Sequence, residues 1–356
     1  MNSLVRQAAA TLLDLPGIRT LLSRRTRSLG VIFMLHRVAT QQTDPDRPTA
    51  EDLRALLSFL RDRNISVVSV RELLRRAQFG EGTPESPLVS FTLDDGYLEQ
   101  ATTAAPVFQE FGVPATIFPV IGFLDGTCWM WWDRLSFLLT EASPGTYRLP
   151  LPSGVEKQVE LKKVDSRSHH ERHLAEELKA YSTEAREEAL DLWQTELQVE
   201  IPDHPPDRFA PMTWDQARAC EAAGISIGPH TLTHPILARE SAERVRKEMT
   251  ESWSRLKQEL SDPVPIYCYS NGTPRDFGRR EMKTAQEMGL EGALSTIPGY
   301  VSLSPISDAG SVDPLAPFAI PRFGLYPDLI SLRRILAGLS PGLIHRVPET
   351  QVASRL

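Results

Sequence analysis

The sequence predicts an α/β protein built on a parallel sheet, either open or closed into a barrel. Two observations carry this. Strand and helix signals alternate along most of the 356 residues, as repeated βα units require. The first strand candidate, Val31 to Leu35, is an unbroken apolar run, the pattern of a strand covered on both faces. In either arrangement the side chains that do chemistry collect at the C-terminal ends of the strands.

The elements follow in order. Leu53, Leu56, Leu57 and Leu60 recur at helical spacing within Thr49 to Arg63. Ile65 to Val68 reads as a short strand, and Ser69-Val-Arg-Glu72 as a capping box that opens a helix. Leu88 to Leu93 is a strand, Glu99 to Phe111 a helix, and Pro114 begins another strand that runs to Phe118. Beyond Ala210 come a helix at Thr213 to Ala223, a strand at Ile225 to Ile227 and a helix at Ala242 to Leu260. A strand at Ile266 to Tyr269 and a helix at Phe277 to Met288 complete the pattern.

One polar segment, about 133–210, interrupts it. Thr146 to Leu151 and Val155 to Leu161 form a hairpin pattern around Pro152-Ser153-Gly154. Ser168-His-His-Glu171 can cap a helix, and a second acidic helix runs from Thr183 to about Leu197. Because the βα pattern resumes without a linker, this segment reads as an insertion. The expected organisation is an N-terminal segment 1–30, a main domain 31–330 that contains the insertion, and a C-terminal helix and tail 331–356.

Composition excludes some classes. The net charge of −7 argues against broad binding to nucleic acid. Cys128, Cys220 and Cys268 are far apart and form no CxxC, so a reducing compartment fits. No apolar run of membrane-spanning length occurs. Residues 1–28 carry Arg6, Arg19, Arg24, Arg25 and Arg27 against Asp14, with apolar residues at Leu4, Ala8, Leu12, Leu15, Ile18 and Leu22. They lack the h-region and cleavage site of a secretory signal. Two readings stay open for them: a helix packed on its own domain or frayed, and an amphipathic helix against an anionic membrane surface. The expected location is cytoplasmic, extending to the inner membrane surface.

Chemistry centres on two motifs. "SFTLDDGY", Ser90 to Tyr97, ends a strand in adjacent aspartates and a glycine. Gly96 can turn the backbone so that Asp94 and Asp95 reach one pocket, where a cation makes two neighbouring carboxylates tolerable and divides them into ligand and base. A helix cap is the plainer alternative. "GPHTLTHP", Gly228 to Pro235, places His230 and His234 four apart after a strand. On one helical turn they would face the same side and chelate zinc or a similar ion. Two histidines and one aspartate leave room for water.

These motifs resemble the polysaccharide deacetylases of the NodB-homology type, carbohydrate esterase family 4. That family's T-F-D-D-G corresponds to Thr92-Leu93-Asp94-Asp95-Gly96, and its H-S/T-x-x-H to the stretch from His230 to His234. "LHRV" (Leu35 to Val38), "VPATIF" (Val113 to Phe118), "WWDRL" (Trp131 to Leu135) and "YCYSNGTPRDF" (Tyr267 to Phe277) add to the match, which covers roughly residues 31–323. The resemblance implies a distorted (β/α)7 barrel and hydrolysis of an N-acetyl group on an amino-sugar glycan. It implies Asp94 as base and Asp95, His230 and His234 as ligands of one divalent metal, with zinc expected and cobalt, nickel or iron as alternatives. It also places Tyr269 and Asn271 at the substrate and oxyanion, the latter through its backbone N–H.

The sequence departs from the pattern in places. Ser270 replaces the proline of Y-P-x-G, and Leu93 a phenylalanine. The family's late leucine-histidine motif is missing; His345, in a tail without pattern, is the only histidine after His234. In the branch resembling poly-N-acetylglucosamine deacetylases, a histidine ends the first strand, and His36 stands there to protonate the departing amine. The arginine of the R-x-P-Y motif is absent before Ser270, leaving Arg322 in "IPRF" to orient Asp94.

Other features carry less. Gly224-Ile-Ser-Ile-Gly228 matches G-x-S-x-G, but Ser226 lies inside a predicted strand rather than on a strained turn. His169, His170 and His173 sit in an acidic helix and read as a solvated face. Trp129, Trp131 and Trp132 serve either as core or as sugar-stacking rings. Three rival functions remain: a non-haem iron oxygenase, which uses the same ligand set on all-β barrels; an inactive sugar-binding relative; and a hydrolase of another small amide.

Overall fold

The computed structural model describes residues 16–39, 47–80, 84–162, 164–304 and 313–347. Helix α1 (Pro16–Thr26) leads into strand β1 (Leu29–Leu35). Helix α2 (Ala50–Asp62) opens on a capping box between Thr49 and Asp52 and buries Leu53, Leu56, Leu57 and Leu60. Helix α3 (Val70–Phe79) is capped by Ser69 and stopped by Gly80 in the left-handed region. Strand β2 (Leu88–Asp95) is buried along its whole length. Then come α4 (Ala105–Glu110), β3 (Thr116–Pro119) and the short α5 (Ile121–Leu124).

The segment after α5 holds α6 (Trp131–Glu141), the antiparallel hairpin β4 (Gly145–Pro150) and β5 (Glu156–Leu161), α7 (Val164–Leu178) and α8 (Thr183–Leu197). Its apolar side chains, from Trp131 to Val199, gather in a hydrophobic cluster of their own. The main pattern resumes with α9 (Trp214–Ala222), β6 (Ser226–Ile227), α10 (Ala242–Glu259), β7 (Ile266–Cys268), α11 (Arg279–Glu287) and β8 (Gly292–Leu294). It closes with β9 (Gly299–Ser302), β10 (Phe323–Gly324), α12 (Leu329–Leu336) and β11 (Leu343–His345).

The strands form a distorted (β/α)7 barrel. β1 pairs in parallel with β2, β2 with β3, and β3 with β6. Val264 N–H donates to Ile227 O (2.8 Å) and Cys268 N–H to Pro229 O (3.0 Å), which carries the wall from β6 to β7. β7 pairs with β8, the bridge Leu294↔Ile320 leads towards β10, and β10 pairs with β1. Seven strands (β1, β2, β3, β6, β7, β8 and β10) thus close the ring, all running the same way. β9 lies antiparallel to the start of β1, with β11 beyond it. Parallel strands present all their C-terminal ends on one rim, and Asp94, Asp95 and the loops after β6 and β7 meet there.

Four local readings are corrected. Ile65 to Val68 makes only a single bridge, Val67↔Val89, before the cap at Ser69 starts a helix. The helix expected from Glu99 opens as a π-turn over Gln100–Ala104, ahead of Pro106, which has no N–H for an α-helical bond. Helix α7 begins at Val164, so Ser168 lies a turn inside it rather than at its cap. His345 is not in an unpatterned tail: it ends β11, and its Nε2 meets Ala316 O at 2.7 Å. Most of the basic N-terminal segment lies outside the described residues. Within them α1 shows Arg24, Arg25 and Ile18 exposed. Among the described residues no helix is long and apolar enough to cross a membrane.

Candidate metal centre and active site

The site begins where β2 ends. Asp94 is still extended, but Asp95 has φ of 84° and Gly96 φ of 89°. Two successive residues in the left-handed region break the alternation of side chains, so both carboxylates turn towards one cavity. Glycine is required at 96 on two counts: its φ, and a Cβ there would stand 2.6 Å from Pro119 Cβ. The strain at Asp95 is the kind that persists when the surroundings over-determine a position.

The histidine stretch is not a helical turn. Residues 228–234 are irregular loop, with Thr231 at φ 69° and His234 at φ 55°. Pro235 follows directly and disfavours a helical His234. The two rings still converge, 5.0 Å apart between centroids, because other groups hold the loop. Glu248 on α10 accepts the backbone N–H groups of Leu232 and Thr233 (both 2.9 Å) and the Thr233 hydroxyl (2.7 Å). His234 N–H donates to Thr231 Oγ1 (3.0 Å).

Asp95 Oδ1 is buried and has no hydrogen-bond partner among the described residues. Nε2 of His230 and Nε2 of His234 each lie 3.5 Å from it. Tetrahedral zinc with bonds of about 2.0–2.2 Å sets its ligand atoms about 3.4 Å apart. Nδ1 of His230 meets Cys268 O at 2.8 Å, which as an N–H donor leaves Nε2 to face the aspartate. Burial and the neighbouring His230 push His234 down to about 3, so its ring is a neutral lone-pair donor. Burial works against charge on His230 too, but Cys268 and the Asp95 carboxylate raise it well above the ordinary value; that proton is the one a cation displaces. The donor set therefore fits a divalent metal. A second cluster, Asp94, His230 and Cys268, fits less well, because Asp94 is otherwise committed.

That commitment is to Arg322. Its Nη1 and Nη2 donate to Asp94 Oδ1 and Oδ2, both at 2.8 Å. Nε donates to Ser295 O (2.9 Å) and Nη1 also to Thr92 Oγ1 (2.9 Å). Both side chains are fully buried. Burial alone would raise the Asp94 carboxyl; the Arg322 guanidinium overrides it and holds the group well below the usual carboxylate range. His36, half-exposed at the end of β1, places Nε2 3.9 Å from Asp94 Oδ2. Gln100 ties these two strand ends together, its amide donating to His36 O (2.6 Å) and to Asp94 O.

His36, Asp94, Asp95, His230 and His234 line one cavity of about 300 Å3, together with Asn271 and Thr296 on the barrel side and Ser136, Glu171 and Lys179 from the insertion. Asn271 adopts φ of 58°, accepts the Thr296 hydroxyl on its backbone carbonyl (2.7 Å) and keeps a side-chain Nδ2 without a partner among the described residues. Tyr269 reaches the cavity wall, but its hydroxyl donates to Phe318 O (3.0 Å) and its ring stacks on Phe277; that hydroxyl is spent on the core rather than on a ligand. Trp132 packs edge-on against His234, centroids 4.6 Å apart, and donates to Tyr97 Oη (2.9 Å). Tyr97 donates in turn to Asp133 (2.7 Å), which burial pushes up to about 7. Ser226 lies in β6, away from any turn. Of His169, His170 and His173 none lines this cavity.

Sequence reasoning missed Glu248, Gln100 and the Tyr97–Asp133 pair. Glu248 had a visible signal, since it occupies the buried stripe of α10 with Val245, Met249, Ser252 and Leu256. A carboxylate at such a position requires partners. Gln100 and Tyr97 had none, because their partners are distant main-chain and side-chain groups.

A family model described as polysaccharide deacetylase matches residues 81–293. No curated protein matches the chain. Among solved structures, the chain is similar to the Streptococcus pyogenes deacetylase PplD in complex with acetate, with TM-score 0.55 and 14% identity over 88% of this chain and 99% of that one. It is also similar to BC0361, a polysaccharide deacetylase from Bacillus cereus, at TM-score 0.52 and 12% identity over 87% and 69%. IcaB from Ammonifex degensii follows at TM-score 0.50 and 14% identity over 87% and 98%. At these identities the structures speak for the fold.

Proposed function

The chain belongs to the polysaccharide deacetylase family, and from that premise we propose how its own residues carry out the metal-dependent hydrolysis of an N-acetyl group on an amino-sugar glycan. The metal ligands are Asp95, His230 and His234, and the ion is zinc: one carboxylate and two imidazoles with an open position suit a catalytic zinc site. A zinc ion bound there supplies Lewis acidity towards the amide carbonyl and lowers the pKa of a water.

The remaining roles fall to the protein. Asp94, kept ionised by Arg322, accepts the proton of the attacking water. His36 faces it without a hydrogen bond at 3.9 Å and donates a proton to the departing amine. The backbone N–H of Asn271 assists the oxyanion. Trp131 and Trp132 offer ring faces or edges to the sugar, and the cavity of about 300 Å3 is at the small end of ligand sites, which suits one sugar unit at a time. The products are acetate and a free amino sugar.

The observation that carries this reading is the orphaned Asp95 oxygen with two imidazole nitrogens each 3.5 Å away. The experiment is acetate release from an N-acetylated amino-sugar oligosaccharide, with and without chelator, alongside metal analysis of wild type and His234→Ala. Activity that disappears with chelator and returns with zinc, and a variant that loses most of its metal, are expected. Equal metal in both proteins would sink the ligand set; no acetate from the metal-loaded wild type would favour an inactive sugar-binding relative.

For location, we propose the cytoplasm or the inner face of the membrane, with a lipid-linked glycan as the substrate in the latter case. Three free cysteines and the basic N-terminal segment support this. Cell fractionation decides it, and recovery from a secreted fraction would refute it.

A further inference from the structure

A second cavity, of about 420 Å3, shares Trp131 with the candidate active site and lies between the insertion and the barrel. Arg134, Arg186 and Arg244 line it, with Trp129, Glu187 and Asp203. Arg186 stands out. It is 1% exposed, on the first turn of α8. Among the described residues only its Nη2 finds a hydrogen bond, to Thr183 Oγ1 at 3.2 Å. Nε and Nη1 have no acceptor among the described residues, and neither do the indole N–H groups of Trp129 and Trp131.

Arg322 is the contrasting case. Both guanidinium groups are fully buried. Arg322 has a carboxylate on two of its nitrogens and the Ser295 carbonyl on the third. Arg186 has a hydroxyl on one nitrogen and an aromatic face, with its guanidinium carbon 4.8 Å from the Trp131 ring centroid. The acids nearby are already engaged: Glu187 with Arg134, and Glu240 with Thr183 and Arg244. Burial accordingly pulls Arg186 down to about 10 despite these carboxylates. A buried cation with unused donors is costly to maintain without an anion, and among the described residues that line this cavity every buried side-chain atom without a partner is a donor.

We propose that this cavity is a binding site for an oxyanion, a phosphate or carboxylate group, taken up by the unused donors of Arg186 with the indole N–H groups of Trp129 and Trp131. Arginine is suited to such a role, because its fixed planar donors match the oxygens of either group. The position links the site to the reaction centre through aromatic rings: Trp131 and Trp132 are 5.6 Å apart and Trp132 and His234 4.6 Å apart between centroids. The anion is therefore a substituent on the glycan whose acetamido group enters the neighbouring cavity. This last step rests on the deacetylase reading; the existence of the oxyanion site does not.

The test is thermal denaturation of the metal-loaded protein against inorganic phosphate, for wild type, Arg186→Met and Arg186→Lys. Wild type should show a saturable rise in Tm. Arg186→Met should need at least tenfold more phosphate, with unchanged metal content, and Arg186→Lys should fall between. Without phosphate, Arg186→Met should melt no lower than wild type, since it removes a charge that lacks a partner. A lower Tm with an undiminished phosphate response would make Arg186 merely structural and overturn the proposal. Should Arg186→Met not fold, Arg186→Lys carries the comparison. Asp95→Asn controls for phosphate on the metal: its phosphate response should persist, and loss of it would also overturn the proposal. For the source of the anion, KM values are compared for N-acetylated oligosaccharides with and without a phosphate or carboxylate substituent. A KM ratio of anionic to neutral substrate that rises at least tenfold in Arg186→Met identifies a substituent. An unchanged ratio in a protein that still binds phosphate through Arg186 rejects the substituent and leaves a free anion as the ligand.

Discussion

Asp94 and Asp95 are neighbours with opposite surroundings, and the difference sets their expected roles. Asp94 has both oxygens on Arg322; Asp95 has an oxygen between two imidazoles with no hydrogen-bond partner among the described residues. Asp94→Asn should still bind metal while turnover falls by roughly two to four orders of magnitude, the usual worth of a general base. Asp95→Asn should weaken metal binding, and excess metal should restore part of its activity. Metal titration beside activity assays separates them; rescue of Asp94→Asn instead would reverse the two roles. Arg322 is the partner of both Asp94 oxygens. Arg322→Met strands a buried carboxylate, so it should cost about 3–5 kcal/mol of stability, read by denaturant unfolding. Arg322→Lys should recover part of this, because it restores the charge without the two-pronged geometry. A neutral effect of Arg322→Met would show that Asp94 does not depend on its partner.

At the scale of elements, the histidine loop and α10 form one unit. The loop holds Thr231 and His234 in the left-handed region, a conformation that costs of order 1–3 kcal/mol at each such residue. Glu248 offsets this through two backbone N–H groups and a hydroxyl. Glu248→Ala leaves those donors without their acceptor and frees the loop. It should lower metal affinity by about 10–100-fold, as loss of a group supporting metal ligands typically does. Competition with a chelator of known affinity measures this; unchanged affinity would mean that the loop keeps its shape without α10. The Ser-capped α3 and α8 and the boxes at Thr49 and Thr213 show the opposite case, where a few adjacent residues suffice.

For the whole molecule, the barrel supplies the proposed metal ligands and the insertion supplies one side of the cavity through Ser136, Glu171 and Lys179. The insertion packs around Trp193, which is fully buried and ties α8 to the hairpin by donating to Pro150 O (2.7 Å). Trp193→Ala should destabilise by about 3–5 kcal/mol. Because the ligands lie on barrel loops, metal content should hold while KM for the glycan rises. Loss of metal in step with KM would instead show that the insertion supports the metal loops themselves.

What the sequence determined by itself is what local rules encode. Leu53, Leu56, Leu57 and Leu60 at helical spacing specify α2, the apolar run at 31–35 specifies a strand covered on both faces, and the two motifs single out Asp94, Asp95, His230 and His234 before any coordinate is known. What only the tertiary structure decided depends on groups far apart in the chain. Arg322 and Asp94 are 228 positions apart, so no local pattern pairs them. The histidines converge not by helical spacing but because Glu248 and Pro235 force a loop with φ values that no periodicity suggests. The resemblance places Tyr269 at the substrate, yet Phe318 takes its hydroxyl. Arg186 reads in sequence as one more charge on an acidic helix; that it is buried with donors unused follows only from how α8 packs against Trp131. Periodicity and capping act over a few residues, whereas the pairing of buried charges is settled by which distant partner remains when the chain closes.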